Sequence, residues 1–379
     1  MVSTLDSQLK FSIKHTMTSL FSKIQFAVVS LAFGAMVLLA KGEDAPPKYA
    51  EHQDLSYYLD GKGDRHTIKS KADWAIRREH ILVHLQSVMG PLPKPTKPVP
   101  LDMKVLEEVQ VGELTRQKVS YHTDSAENVV TAYLFLGKAD GKLPAVLCLH
   151  QTTGIGKGEP AGIGGNPNLH YALHLAQRGY VTLAPDYPSF GDYKYDFDPK
   201  FGYTSGSMKA IYDNIRAVDL LQSLPQVDGE RIGCIGHSLG GHNTIFTGVF
   251  EPRIKVLVSN CGFTRFHKYY EGKLAGWTSA RYMPLIASRH ENNPDRVPFD
   301  FPELIAALAP RPFLASSPVG DSNFEVSGVK DTIAAALSVY KLLGNETGLQ
   351  ANYPDCAHDF PEDVRGVAYE FLDKHLKQK

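Results

Sequence analysis

The chain has 379 residues, 43% of them hydrophobic and 21% charged, with a formal net charge of −1. That length exceeds a small domain and suits one large α/β domain with extensions, and the ordinary composition allows a large core. A near-zero net charge gives no electrostatic footprint for nucleic acid or for an anionic membrane surface as partner.

Residues 24–40 form one uncharged, mostly apolar run, with Lys14 and Lys23 before it and the small-x-small sequence Ala40-Lys41-Gly42 at its end. This pattern predicts a secretory signal over residues 1–42, a mature N-terminus near Glu43, and a secreted or periplasmic protein without stable membrane insertion after signal removal. A membrane anchor is the alternative, although the run lies at the bottom of the spanning range. Met17 opens a more typical signal and is an alternative start. Cys148, Cys234 and Cys261 sit in or beside apolar strand-like runs and read as small buried hydrophobes. No two of these and Cys356 have metal-ligand spacing. Export permits a disulfide without requiring one.

Residues 43–70 read as polar and irregular. Residues 71–89 have a helical period, with Trp74, Ile81, Leu85 and Val88 on one face, Leu82 and Met89 at its edge, and Gly90 as the stop. The strip PLPKPTKPVP at 91–100 must run extended, so residues 43–100 are expected to be a helical extension and linker before a catalytic domain at 101–379. Strands are predicted at 103–111, 115–123 and 129–136, an antiparallel opening. Further strands at 144–150, 180–186, 231–236, 254–260, 311–317 and 349–353 then alternate with helices near 169–176, 208–221, 239–250, 328–343 and 363–377. Continuously apolar strands alternating with amphipathic helices mean a parallel sheet covered on both faces.

The chemistry-bearing motif is Gly236-His237-Ser238-Leu239-Gly240, with Gly241 after it. It directly follows a buried strand and directly opens a helix, the setting of a nucleophile elbow. That turn is so tight that the flanking positions need Gly, and it lifts a serine hydroxyl onto a helix N-terminus that favours negative charge. A serine needs a base, and in such elbows the chain order is Ser, acid, His. Of the histidines after Ser238, His242 lies in the adjoining helix, His267 and His290 in an insert, and His375 in a polar helix. His358 follows the last strand and is the predicted base. Asp321 follows the strand before last and is the predicted acid, holding the imidazole tautomer; Asp295, Asp300, Asp331 and Asp355 are its rivals. Backbone N–H groups of Leu239 and Thr152 are the predicted oxyanion donors, with Gln151 as second choice to Thr152.

The segments VDGERIGCIGHSLGG, APDYPSFGD and CAHDFP resemble the dienelactone hydrolase and acetyl xylan esterase-like branch of the α/β-hydrolases, over roughly residues 101–379. The resemblance implies an α/β-hydrolase fold, with a mostly parallel eight-stranded sheet, helices on both faces and a short insert after strand 6. It implies a serine carboxylic ester hydrolase acting through an acyl-enzyme, on a small-molecule or carbohydrate ester. No metal or organic cofactor is expected. Two other readings stand beside it. One is a serine peptidase of the prolyl oligopeptidase type, whose customary propeller has no room in residues 43–100. The other is a catalytically silent binding protein, which would be expected to lack a triad member. The insert at 262–310 carries Tyr269, Tyr270, Trp277, Tyr282 and Met283, and the loop at 187–205 carries Tyr187, Phe190, Tyr193, Tyr195 and Phe197. These aromatics either pack their segments onto the body or wall the substrate pocket.

Overall fold

The computed structural model describes residues 46–198, 200 and 202–377. The expected signal at 1–42 lies outside them. Residues from Pro47 onward form one compact unit.

The order of the main sheet follows from burial. Strands β6 (Leu143–Leu149), β7 (Val181–Pro185), β8 (Val227–His237), β9 (Ile254–Asn260), β10 (Phe313–Ser316) and β11 (Leu349–Asn352) pair in parallel. Most of their residues are inaccessible on both faces, as the uninterrupted apolar runs require. The antiparallel opening strands β3 (Lys104–Val111), β4 (Leu114–His122) and β5 (Val129–Leu136) join through β5 and β7. The spatial order is β11-β10-β9-β8-β6-β7-β5-β4-β3, nine strands rather than the eight expected. The strands predicted along the chain already number nine, and the edge strand β3, predicted at 103–111, is almost wholly exposed and contributes little to the core. Its charged Lys104, Glu107 and Glu108 and its register break between Val105 and Glu107 guard it against pairing with another chain. The insert consequently follows the seventh strand of the sheet.

Residues expected to be irregular before the first helix contain a two-stranded ribbon, β1 (Tyr57–Leu59) against β2 (Arg65–Thr67). Three-residue strands are too short to show alternation. Asp60 closes the turn by accepting from the N–H groups of Lys62 and Asp64. Helix α1 (Lys71–Met89) has the predicted bounds, a Ser70–Asp73 capping box, and Trp74, Ile81, Leu85, Val88 and Met89 buried. The proline strip has no regular structure, and the Arg216 guanidinium holds it by donating to Val99 O at 2.6 Å. The other helices are α2 (Tyr171–Gln177), α3 (Gly206–Ser223), α4 (Leu239–Phe250), the short α5 (Leu285–Ser288), α6 (Phe301–Leu308), α7 (Val326–Leu342) and α8 (Glu362–Leu376). Helix α6, inside the insert, was not predicted, although Asp300, Pro302 and Glu303 supply its N-terminal signals.

Helices α1 and α6 are tied by a buried charge cluster. Arg77 Nη2 donates to Glu303 Oε1 at 2.5 Å, and His52 Nδ1 lies 2.8 Å from Glu303 Oε2. The Tyr49 ring lies under the guanidinium, 3.0 Å from its centroid. Burial alone would lower the His52 pKa, but the Glu303 carboxylate outweighs it and the pKa is raised. A group raised on folding stabilises fully below its unfolded value, so this contribution fades as pH rises through the raised His52 pKa. Removing Glu303 leaves Arg77, which is fully buried, without its counter-charge. Glu303→Ala is therefore expected to destabilise the protein by about 3–5 kcal/mol, read as a lower urea midpoint at neutral pH.

Candidate active site

The candidate site is built at the C-terminal ends of the parallel strands. Strand β8 ends at His237 and α4 begins at Leu239, so Ser238 alone makes the turn, with φ 54° and ψ −116°. A non-glycine residue with this backbone is strained, and the site holds it by packing and by the Ser238 N–H donating to Asn260 O at 2.9 Å. The flanking glycines are obligatory. A Cβ on Gly236 would meet the carbonyl of Gly240, and a Cβ on Gly240 would meet the carbonyl of Leu149 at the end of β6. The chain passes through the elbow only because both side chains are missing.

Asp321 and His358, 37 residues apart in the chain, meet through a hydrogen bond of 2.9 Å between Asp321 Oδ2 and His358 Nδ1. Asp321 Oδ1 accepts from the N–H groups of Asn323 at 2.8 Å and Phe324 at 3.1 Å. Burial would raise the Asp321 pKa, but the imidazole and the two N–H donors overcome it and hold the carboxyl below its usual range. A carboxylate with both oxygens engaged as acceptors fixes the His358 proton on Nδ1. Nε2 is left with a lone pair. The ring of His237, next to Ser238 in the chain, lies 4.7 Å from the His358 ring, and that of Phe324, which lines the same cleft as Ser238, lies 6.0 Å from it.

Ser238, Leu239 and Thr152 share a cleft of about 150 Å³ with His242, Tyr269, Trp277, Tyr282 and Phe324. Gln151 does not line it; its side-chain amide is turned to Glu159. The insert's aromatics divide between the two readings left open by the sequence. Tyr269, Trp277 and Tyr282 wall the cleft, Met283 is buried in the core, and Tyr270 stands exposed with its hydroxyl on Asn323 Oδ1. Of the 187–205 loop, Tyr187, Phe190 and Tyr193 are buried, while Tyr195 and Phe197 line a separate cavity. The rival acids are elsewhere: Asp300 caps α6, Asp295 pairs with His267, and Asp331 pairs with Arg265.

Several neighbours of the site were not singled out from the sequence. His237, within the motif itself, is buried, and its pKa is pushed down to about 3 by burial and by His358. Its Nδ1 accepts from the Asn260 amide at 2.7 Å, so it stands neutral beside His358. His242, also lowered to about 3 by burial, sits with its ring 4.8 Å from that of Trp277. Cys261, at the end of β9, is buried against Asp321. Motif position could have flagged His237. Nothing local marks Cys261, because only the sheet edge brings it in, whereas Trp277 was already among the insert aromatics named as candidate pocket walls.

A model of the prolyl oligopeptidase family matches residues 168–378, more than half the chain and all of the segment from Ser238 to His358. The chain belongs to the prolyl oligopeptidase family. It is 29% identical over 251 residues to YtaP of Bacillus subtilis (strain 168), a hydrolase by name, with 63% of this chain and 81% of that one covered. It is also 25% identical over 224 residues to the carbohydrate esterase MZ0003 of an unknown prokaryotic organism, covering 48% of this chain and 52% of that protein. Among solved structures it is similar to a glucuronoyl esterase from Solibacter usitatus, with a TM-score of 0.66, 19% identity, and 87% of this chain and 99% of that one covered. That likeness carries the fold alone, which is the α/β-hydrolase fold. By family and fold the protein is a serine hydrolase. Among the described residues, no helix is long and apolar enough to cross a membrane.

Proposed function

We propose that the protein hydrolyses carboxylic esters carried on carbohydrate, through an acyl-enzyme on Ser238. The observation that carries this reading is the pairing of a strained, glycine-flanked serine at a helix N-terminus with an Asp321-oriented His358 on the same sheet edge. Ser238 Oγ attacks the ester carbonyl while His358 Nε2 takes its proton. The tetrahedral oxyanion is met by the N–H groups of Leu239 and Thr152. Its collapse expels the alcohol, which takes the proton back from His358. Water, deprotonated by the same nitrogen, then releases the acid and restores Ser238. Asp321 stays ionised throughout and stabilises the transient imidazolium.

Two features favour a carbohydrate ester. Tyr269, Trp277 and Tyr282 give the cleft flat aromatic walls, suited to stacking on sugar rings. The carbohydrate esterase and glucuronoyl esterase among the similar proteins bear the same chemistry in their names. The reading that residues 1–42 direct export and that 43–100 precede a catalytic domain at 101–379 suits an enzyme acting on extracellular polysaccharide.

Family membership favours a second reading, a peptidase with the same triad. Kinetics separate the two. The values of kcat/KM for a nitrophenyl acetate, a methyl glucuronate and matched peptide anilides are compared on the full chain and on Ser238→Ala. Ester turnover exceeding anilide turnover, both lost in the variant, is expected. Anilide cleavage that rivals ester cleavage and is lost in the variant makes the protein a peptidase.

A further inference from the structure

We infer that Cys261, Asp321 and His358 form a binding site for a thiophilic divalent cation such as zinc, and that occupation switches the hydrolase off. The Cys261 sulfur, an Asp321 carboxylate oxygen and a His358 ring nitrogen all lie within 4.8 Å of one another. They form a mixed S, O and N donor set of the kind that zinc takes in tetrahedral geometry. Zinc bonds of about 2.0–2.3 Å place tetrahedral donors roughly 3.3–3.7 Å apart, so the Asp321–His358 pair, now 2.9 Å apart, would open by about 0.5 Å while the more distant donors close by about 1 Å at most. The His358 side chain is 22% exposed, whereas the Asp321 side chain and the sulfur are buried, so a cation would have to enter past the imidazole.

The thiol has no part in acyl transfer, yet its position is held deliberately. Cys261 has φ 49°, a backbone that few residues other than glycine adopt. Its N–H donates to Ser316 O at 2.9 Å, which links the end of β9 to the strand that leads into Asp321. The Asn260 amide reaches the sulfur at 3.4 Å. The other cysteines do not share this placement. Cys148 and Cys234 are sealed in the core, and Cys356 is outside the cluster although its loop also carries His358.

Binding would silence the enzyme through the imidazole tautomer. The cation displaces the proton of the Cys261 thiol, which passes to water, and takes the lone pair of His358 Nδ1. The imidazole proton moves to Nε2. The cation's two charges are then balanced by the thiolate and the Asp321 carboxylate. Nε2, the atom that must accept the Ser238 proton, has become a donor. Because the substrate cleft is lined by other residues, kcat falls while KM stays, and a chelator restores turnover.

The inhibition arm rests on the proposed role of His358; the binding arm does not. The full chain is titrated with zinc chloride during nitrophenyl acetate hydrolysis. Wild type and Cys356→Ser are expected to be inhibited and restored by chelator. Cys261→Ser and Cys261→Ala should keep their turnover and need at least about 10-fold more zinc, the lower end of what losing one supporting group of a metal site costs. Cobalt chloride is the second probe: a thiolate-to-cobalt absorption band should appear in wild type and Cys356→Ser and be missing from both Cys261 variants. Equal zinc sensitivity of wild type and the Cys261 variants overturns the inference. So does the lack of a thiolate band in wild type, a reading that stands even if the Cys261 variants fail to fold or the protein cleaves no ester.

Discussion

Ser238→Ala is expected to lower kcat/KM for any ester substrate by roughly 10⁶-fold while leaving the fold intact, since loss of the nucleophile costs about as much as loss of a whole triad. The remaining activity would come from the Leu239 and Thr152 N–H donors and from binding in the cleft. The same position offers a second, thermodynamic reading. At φ 54° and ψ −116°, Ser238 holds a strained backbone. Strain of this kind costs about 1–3 kcal/mol, and the freedom that glycine regains on unfolding offsets about 0.4–1 kcal/mol of any relief. Ser238→Gly should therefore be as inactive as Ser238→Ala and more stable than wild type by about 1 kcal/mol, measured by urea unfolding. That outcome is the signature of a residue retained for chemistry against stability. A Ser238→Ala enzyme with near-normal ester turnover would remove Ser238 from the mechanism, and a less stable Ser238→Gly would show the elbow to be unstrained.

How much was legible depended on how local each cause is. The elbow could be read because its motif lies within Gly236–Gly241 and the steric demand on Gly236 acts over four residues of chain, although the demand on Gly240 comes from Leu149 at the end of β6. Asp321 and His358 could be located by counting strands, Asp321 after the buried β10 and His358 after the short, half-buried β11 that closes the alternation. The strands read along the chain already numbered nine, with β3 among them; only the total of eight that came with the resemblance fell one short. The β1–β2 ribbon escaped because its strands are three residues long. Helix α6 escaped because its capping signals sit inside an insert that was read for its aromatics. The cleft could be read only in outline. Whether Trp277 walls it and Met283 does not is decided by how the insert folds over α4, and no periodicity encodes that. Cys261 is the extreme case. It reads as a buried small hydrophobe and is one by exposure, but the turn after β9 sets its sulfur against the acid and the base.

Asp321→Asn is expected to lose roughly 10⁴-fold in kcat, the size of the effect when a triad acid is replaced by its amide. The hydrogen bonds explain why so small a change does so much. Asp321 Oδ1 accepts from two backbone donors, the N–H groups of Asn323 and Phe324, and Oδ2 accepts from His358 Nδ1. An amide has one oxygen and one NH₂ group. Two fixed N–H groups demand the oxygen, so the NH₂ must face His358. The imidazole can accept from it only by carrying its proton on Nε2, and the base for Ser238 is gone. Folding should change little, because the two backbone donors keep their acceptor. Asp300→Asn makes the opposite case. Asp300 accepts from the N–H groups of Phe266 and Phe301 at the start of α6. Asn caps nearly as well as Asp, so the variant should keep its kcat and lose at most about 1 kcal/mol of stability. The test measures kcat and urea unfolding on both variants with a nitrophenyl acetate. An Asp321→Asn enzyme with most of its kcat, beside an inactive but folded Asp300→Asn, would move the acid from the loop after β10 to the cap of α6.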